Sequence, residues 1–350
     1  MSTSSTFECG WLLAPALLLQ ACSADVADVA DEGAVATAHE AVVYGNNDLT
    51  EFAAVADPRL KALADSTGAL FRGETVICAS GTCDLSLVQP FNQAETPTAN
   101  SDNASGPYSR LLCPGERFKD QLYGAACSAF LVGPDLFATA GHCLCELGGA
   151  CGCNGRKLVF GFKADASGQN TQWHLPEADV YTCTGTPLAR YQNGEDWAFF
   201  RVDRAVNGHT PMIVQRTGTL LSGELAAVGY ANGLPLKVAR SGQLKQDSPN
   251  EPWTFSSNVD SSLGTSGGPV IDIPTGVVNG IHVTSPYWQY LDGIDGAGNQ
   301  CAKLNVCSTS TGCNPSFAFS VWSGDTRMTY ATAQGAIPLH PALIATATLL

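Results

Sequence analysis

Basic residues are scarce in this chain: 18 Lys and Arg stand against 32 Asp and Glu, for a net charge of -14 and a pI near 4.7. A phosphate backbone or an anionic membrane surface would be repelled, which excludes nucleic acid as a partner. Long hydrophobic runs are also missing. The apolar stretches Trp11–Leu19 and Ala342–Leu350 are both too short to cross a bilayer. No internal repeat is visible, so a solenoid or propeller is not indicated.

Glycine, proline and cysteine are plentiful. The 36 Gly and 19 Pro predict many tight turns between short elements, with few long helices. With 45% hydrophobic and 14% charged residues, 350 positions suffice for one large core or two smaller ones. The 14 Cys exceed what a cytosolic chain would keep as free thiols, so disulfides formed in an oxidising compartment are expected. Export predicts a leader, and Trp11–Leu19 has the length of a signal-peptide core. Leu19-Gln20-Ala21-Cys22 resembles a bacterial lipoprotein processing box, with Cys22 as the lipidation candidate. Residues 1–10 hold no Lys or Arg and Gln20 is unusual there, so ordinary cleavage nearby is the alternative. A lipid on Cys22 would be the chain's one membrane contact, and the protein is expected to be secreted or anchored at a bacterial envelope. Setting Cys9 and Cys22 aside leaves 12 Cys, an even number that suits full pairing.

The expected order is a signal peptide over 1–22, an acidic, alanine-rich tether or propeptide over 23–41, and an N-terminal segment over 42–108. Within that segment Asp57-Pro58 opens a short helical pattern in DPRLKALADSTGA, and residues 92–107 form a polar, turn-rich loop. From Cys127 onward short apolar runs such as CSAFLVG, DLFATAG, KLVFGF and GVVNGIHV alternate with Gly, Pro, Asn and Asp clusters. That rhythm predicts an all-β barrel or sandwich.

Three motifs carry chemistry. Thr139-Ala140-Gly141-His142-Cys143 ends a strand-like run, Asp196-Trp197-Ala198-Phe199-Phe200 opens one with an acid, and Gly264-Thr265-Ser266-Gly267-Gly268-Pro269-Val270 flanks a serine with glycines. Taken singly, each has an ordinary structural reading, as a structural His, a strand cap and a turn. Together they supply a nucleophile, a base and a residue that orients the base, and the glycines allow backbone N–H groups to approach a substrate carbonyl.

In this order TAGHC, DWAFF and GTSGGPV resemble the chymotrypsin-like serine peptidases, over about residues 110–325. The resemblance implies two six-stranded antiparallel β-barrels packed face to face, over 109–215 and 216–337, with a tail over 338–350. It implies His142 as general base, Asp196 as its orienter, Ser266 as nucleophile, and the N–H groups of Gly264 and Ser266 as oxyanion donors. Cys127 and Cys143, 16 residues apart, match the family's disulfide beside the His. The substrate would be a polypeptide bound as an added strand, and such a site needs no cofactor or metal. A neutral His base predicts activity rising through roughly pH 6 to 8.

Val42-Val43-Tyr44-Gly45-Asn46-Asn47-Asp48 resembles the mature start of the bacterial glutamyl-endopeptidase (V8-like) branch, which implies processing near Ala41 and Val42. Thr265 stands where trypsins carry the Asp that pairs with a freed amino terminus. For the pocket that binds the residue before the scissile bond (P1), two readings compete. His282 and Ser261 match the branch's carboxylate-binding His and Thr, whereas Asp260 stands where trypsins place their selector for Lys and Arg. The two matches together with the N-terminal resemblance tilt the balance toward acidic P1.

Three other classes fit less well. G-x-S-x-G also suits an esterase nucleophile elbow, but Pro269 and the β-rich VIDI stand where a helix is required, and the order His, Asp, Ser is wrong for that fold. Cys143-x-Cys145 and Cys151-x-Cys153 could hold zinc, although disulfides suit an exported chain better. An inactive, peptidase-like binding module is opposed by the presence of all three polar residues.

Overall fold

A computed structural model of the chain describes residues 43–44, 46–86, 91, 96–98, 108–146, 148–168, 174–192, 195–215, 224–242, 244–245, 254–283, 290–307 and 327–329. The expected signal segment with Cys22, the tether 23–41 and the tail 338–350 lie outside them. The elements that position the site are, in chain order, β1 (Thr50–Glu51), α1 (Pro58–Ala64), β2 (Thr67–Phe71), β3 (Cys127–Leu131), β4 (Leu136–Thr139), β5 (Lys157–Val159), β6 (Val180–Gln192), β7 (Glu195–Val202), β8 (Leu225–Gly229), β9 (Lys237–Gly242), β10 (Leu244–Lys245), β11 (Thr254–Ser257), β12 (Pro269–Asp272), β13 (Val277–His282) and β14 (Arg327–Thr329).

Six of these strands close into an antiparallel barrel in the order β5-β6-β7-β4-β3-β2, with β2 hydrogen-bonded back to β5. Closure removes sheet edges that would otherwise expose unpaired N–H and C=O groups. β2, β3 and β4 are buried at every position, so their sequences are mostly apolar rather than alternating, with Thr67, Ser128 and Thr139 as buried polar members. Aromatic side chains fill the interior. Phe137 stacks on Phe200 at 5.6 Å and tilts against Phe160 at 5.9 Å, and Phe71 meets Phe162 edge-on at 5.5 Å. Each such ring, fully removed from water, contributes about 1.5–3 kcal/mol of transfer free energy.

The C-terminal half is a second antiparallel assembly. Its described strands form one eight-stranded sheet, β10-β11-β14-β13-β12-β8-β9-β1. β1 joins it from far upstream, with Glu51 opposite Lys237 and Thr50 opposite Val238.

The helix expected after Asp57 is present. Asp57 Oδ1 accepts the N–H groups of Arg59 at 2.9 Å and Leu60 at 3.2 Å, Pro58 opens the first turn, and Leu60 and Ala64 are buried. The expected barrel boundary at residue 109 needs correction, because the segment 42–108 does more than lead into the barrel: it supplies β2. Thr67-Gly68-Ala69-Leu70-Phe71 is a strand-length apolar run, and without it β3 and β5 would each keep an open edge.

Five disulfides are described: Cys78–Cys83, Cys113–Cys301, Cys127–Cys143, Cys145–Cys151 and Cys153–Cys183. The zinc alternative falls, since Cys145 and Cys151 are bonded to each other while Cys143 and Cys153 are bonded to Cys127 and Cys183, so all four sulfurs are spent on disulfides. Cys113–Cys301 closes 188 residues, whereas Cys78–Cys83 closes a hairpin of five. Constraint of the unfolded chain grows with loop length, so replacing Cys113 and Cys301 by Ala should cost about 3–5 kcal/mol of unfolding free energy. Replacing Cys78 and Cys83 should cost about 2 kcal/mol or less. Urea titration of the two double variants checks this, and equal losses would contradict it.

Candidate active site

The chain leaves the buried strand β4 at Ala140 and makes one tight turn, Gly141–Cys143, that carries His142. Gly141 is required there: a Cβ would lie 2.1 Å from the Arg190 carbonyl oxygen and 3.0 Å from the Trp197 nitrogen. The turn therefore presses against β6 and β7 as closely as backbone allows. β7 begins with Glu195 and Asp196, then runs through buried Trp197, Ala198, Phe199 and Phe200, which fix the strand and hold the carboxylate at its mouth.

Asp196 grips the turn twice. Its Oδ1 accepts the His142 backbone N–H at 2.9 Å and its Oδ2 lies 2.7 Å from His142 Nδ1. A carboxylate at that distance fixes the tautomer with hydrogen on Nδ1, which leaves Nε2 as a lone-pair base. The Cys127–Cys143 disulfide ties the same turn to β3.

The serine motif lies in the loop between β11 and β12 and is held against the first barrel by Ser128 of β3. The Ser128 N–H donates to the Ser266 carbonyl at 2.7 Å, and its hydroxyl donates to the Gly264 carbonyl at 2.8 Å while accepting the Tyr230 N–H at 3.0 Å. Cys143 Sγ touches the Ser266 carbonyl oxygen at 3.7 Å, so the turn carrying the imidazole and the loop carrying the hydroxyl are in contact. Gly267, at φ +85°, makes this approach possible. A Cβ there would lie 2.1 Å from both the Ser128 carbonyl oxygen and Thr139 Oγ1. Gly264 also has φ +85°. Among the described residues, the N–H groups of Gly264 and Ser266 donate to no backbone acceptor. The Ser266 side chain is 8% exposed as a residue, and its Oγ lies 3.4 Å from the Val283 carbonyl.

The pocket candidates lie behind this loop. His282 ends β13, fully buried, and its backbone brackets the loop: its carbonyl accepts the Gly267 N–H at 2.7 Å and its N–H donates to the Gly268 carbonyl at 2.8 Å. Ser261 is fully buried. Asp260 is buried too, and its Oδ2 accepts the Asp48 backbone N–H at 2.9 Å. Burial, reinforced by the neighbouring His142, pushes the His282 imidazole down to about 3, so it is neutral in the fold. Cys127, His142 and Cys143 are close enough to suggest a metal site, but both sulfurs are in the disulfide and neither can act as a thiolate ligand.

Ser128 and Tyr230 had no signal as site residues. Ser128 sits inside an ordinary strand run, and only the approach of a loop 136 residues away gives it a role.

The neutral His282 predicts acid sensitivity. Unfolded, this imidazole returns to its ordinary value of 6.5 and takes up a proton that the fold refuses. Its contribution to stability is therefore complete above about pH 6.5 and is lost as pH falls toward 3. His282→Gln should flatten the difference between urea melts at about pH 4 and about pH 7. A variant with the parent's full acid sensitivity would contradict this account.

Residues 127–281 match the family model of the trypsin-like peptidase domain. A comparison with curated proteins finds no match. Among solved structures, the chain is similar to a Glu endopeptidase in complex with MPD at 14% identity, over 88% of this chain and 100% of that one, with a TM-score of 0.46. It is also similar to an M. tuberculosis protease in its active form at 14% identity, over 86% and 95%, with a TM-score of 0.37. A serine endoprotease from Yersinia pestis aligns at 12% identity, over 67% and 58%, with a TM-score of 0.36. The chain carries a trypsin-like peptidase domain over residues 127–281 and is a serine endopeptidase.

Proposed function

We propose that His142, Asp196 and Ser266 form the catalytic triad, in a cleft between the closed barrel and a second barrel to which the eight-stranded sheet belongs. The observation that carries this reading is the double grip of Asp196 on His142, at 2.9 and 2.7 Å, in a turn packed directly on the Ser266 loop. His142 Nε2 takes the Ser266 hydroxyl proton as Oγ attacks the peptide carbonyl, and gives it to the leaving amine. Asp196 stabilises the imidazolium that forms between the two transfers. The uncommitted N–H groups of Gly264 and Ser266 receive the oxyanion, each worth about 3 kcal/mol in the transition state. Water then repeats the sequence on the acyl-enzyme.

Cleavage after acidic residues is the specificity we propose, with His282 and Ser261 as the groups that receive the P1 carboxylate. A carboxylate arriving beside the neutral His282 would restore its proton and pair with it. The competing preference, for Lys or Arg through Asp260, is disfavoured because that carboxylate is already taken up with Asp48. Five disulfides fit an exported protein. Secretion with an ordinary signal peptide, or anchoring through lipidated Cys22, belongs to this proposal and concerns residues outside those described.

Ser266→Ala should lower turnover by about a millionfold and abolish labelling by a fluorophosphonate probe. Substantial hydrolysis by that variant would remove Ser266 from its role. Digestion of a mixed peptide library with mass-spectrometric readout should show cuts after Glu and Asp. Cuts after Arg and Lys alone would reverse the specificity and leave the peptidase chemistry intact.

A further inference from the structure

The two backbone donors proposed for the oxyanion belong to the peptides Leu263–Gly264 and Thr265–Ser266. In a trans peptide the carbonyl and the N–H point in opposite directions, so whatever holds the carbonyl also aims the N–H. Backbone holds both carbonyls: that of Leu263 accepts the Asn232 N–H at 2.5 Å, and that of Thr265 accepts the Gly268 N–H at 2.8 Å. Asn232 lies in the turn Ala231–Gly233 that follows β8. That turn is packed on Gly264 so closely that a Cβ there would lie 2.5 Å from the Tyr230 carbonyl oxygen and 2.9 Å from the Gly233 nitrogen.

Between the two donor peptides lies a third, Gly264–Thr265, and its tilt sets the angle between them. Its N–H, on Thr265, donates to the Ser262 carbonyl at 3.0 Å. Its carbonyl, on Gly264, accepts Ser128 Oγ at 2.8 Å. Of these four holds, only that of Ser128 comes from a side chain. A serine hydroxyl has one hydrogen to donate and lone pairs to accept. The Tyr230 N–H, at 3.0 Å, takes the accepting side and so directs the hydrogen at Gly264. Ser128 is fully buried, and a Cβ on Gly229 would lie 2.7 Å from its Oγ, so the hydroxyl has little room to turn elsewhere.

The other members of β3, Cys127, Ala129, Phe130 and Leu131, are buried and apolar, so a hydroxyl at position 128 is accounted for by what it touches rather than by the strand. Gly264 has no Cβ to restrict its backbone, and its φ of +85° needs support from outside the residue. We propose that Ser128 is a positioning residue for peptide hydrolysis: its hydroxyl fixes the Gly264–Thr265 peptide, and with it the angle at which the Gly264 and Ser266 N–H groups meet the oxyanion. Without that hydroxyl the Gly264 carbonyl loses its partner, and rotation about Gly264 turns one donor out of line with the other. A strand of the first barrel thereby adjusts a site whose nucleophile lies in the loop between β11 and β12. This inference rests on the triad and oxyanion assignment above.

The test uses the full chain, a chromogenic peptide substrate and a trifluoromethyl ketone of the same peptide sequence, with melting curves to show that each variant folds. Ser266 Oγ adds to the ketone carbon, its proton passes to His142, and the ketone oxygen becomes the anion that the two N–H groups receive. Ser128→Ala should lower kcat by about tenfold or more with KM within about twofold, and should weaken inhibition by the ketone by a similar factor to kcat. Should Ser128→Ala melt too low to assay, Ser128→Cys, which fills the space with a much weaker donor, should show the same losses. A folded Ser128→Ala with the parent's kcat, or one whose KM rises by as large a factor as its ketone inhibition constant, overturns the inference. A parent protein that neither hydrolyses peptides nor labels with fluorophosphonate would sink the peptidase assignment instead.

Discussion

Ser128 is the point where the two halves of the molecule become one site. Its N–H and hydroxyl hold the carbonyls of Ser266 and Gly264, at 2.7 and 2.8 Å, and Gly267 lets that loop lie directly on β3 and β4. Each hydrogen bond contributes only about 1 kcal/mol net, but a buried carbonyl left unpaired costs more than that. The close fit at Gly267 allows no room for a side chain. The meeting of imidazole turn and serine loop is therefore set by backbone geometry, and the side chains proposed for the triad inherit their positions from it.

Asp196 shows the same economy. One carboxylate anchors the turn through the His142 backbone N–H and orients the ring through Nδ1, so a single residue couples the local fold to the chemistry proposed for it. The strand behind it is buried from Trp197 to Phe200 and gives the carboxylate a rigid base. A charged group held in this way moves little as charge develops beside it, which is what preorganisation requires.

Much of this was legible in the sequence because the informative residues are local in pattern. TAGHC, DWAFF and GTSGGPV are short and distinctive, and the Asp57-Pro58 start of α1 follows from capping chemistry. The pairing of Cys127 with Cys143 was implied by resemblance and is described by the structure. The features that escaped notice depend on distant partners. Thr67–Phe71 is too short and too evenly apolar to declare itself a barrel strand, and only closure with β3 and β5 gives it that role. Nothing in the spacing of the cysteines names a partner for Cys301, and its bond to Cys113 crosses 188 residues. Asp260 looked like a selector because of its offset from Ser266. Its contact with Asp48 comes from a segment 212 residues upstream.

The scarcity of cations has a structural counterpart. With 32 acids and 18 bases, ion pairs cannot neutralise every carboxylate, and many accept backbone N–H groups instead. Asp57 accepts from Arg59 and Leu60, Asp165 from Ser167, Asp203 from Thr182, Asp272 from Thr275, and Asp295 from Ala297 and Asn299. Asp196 and Asp260 obey the same rule with His142 and Asp48. Backbone donors are fixed by the fold and cannot swing away as a lysine can, so a carboxylate held by them reports directly on the path of the chain. In a protein built this way, the acids nearest the serine loop act as clamps on the backbone, and for Asp260 that use competes with a role as a free charge awaiting a cationic substrate.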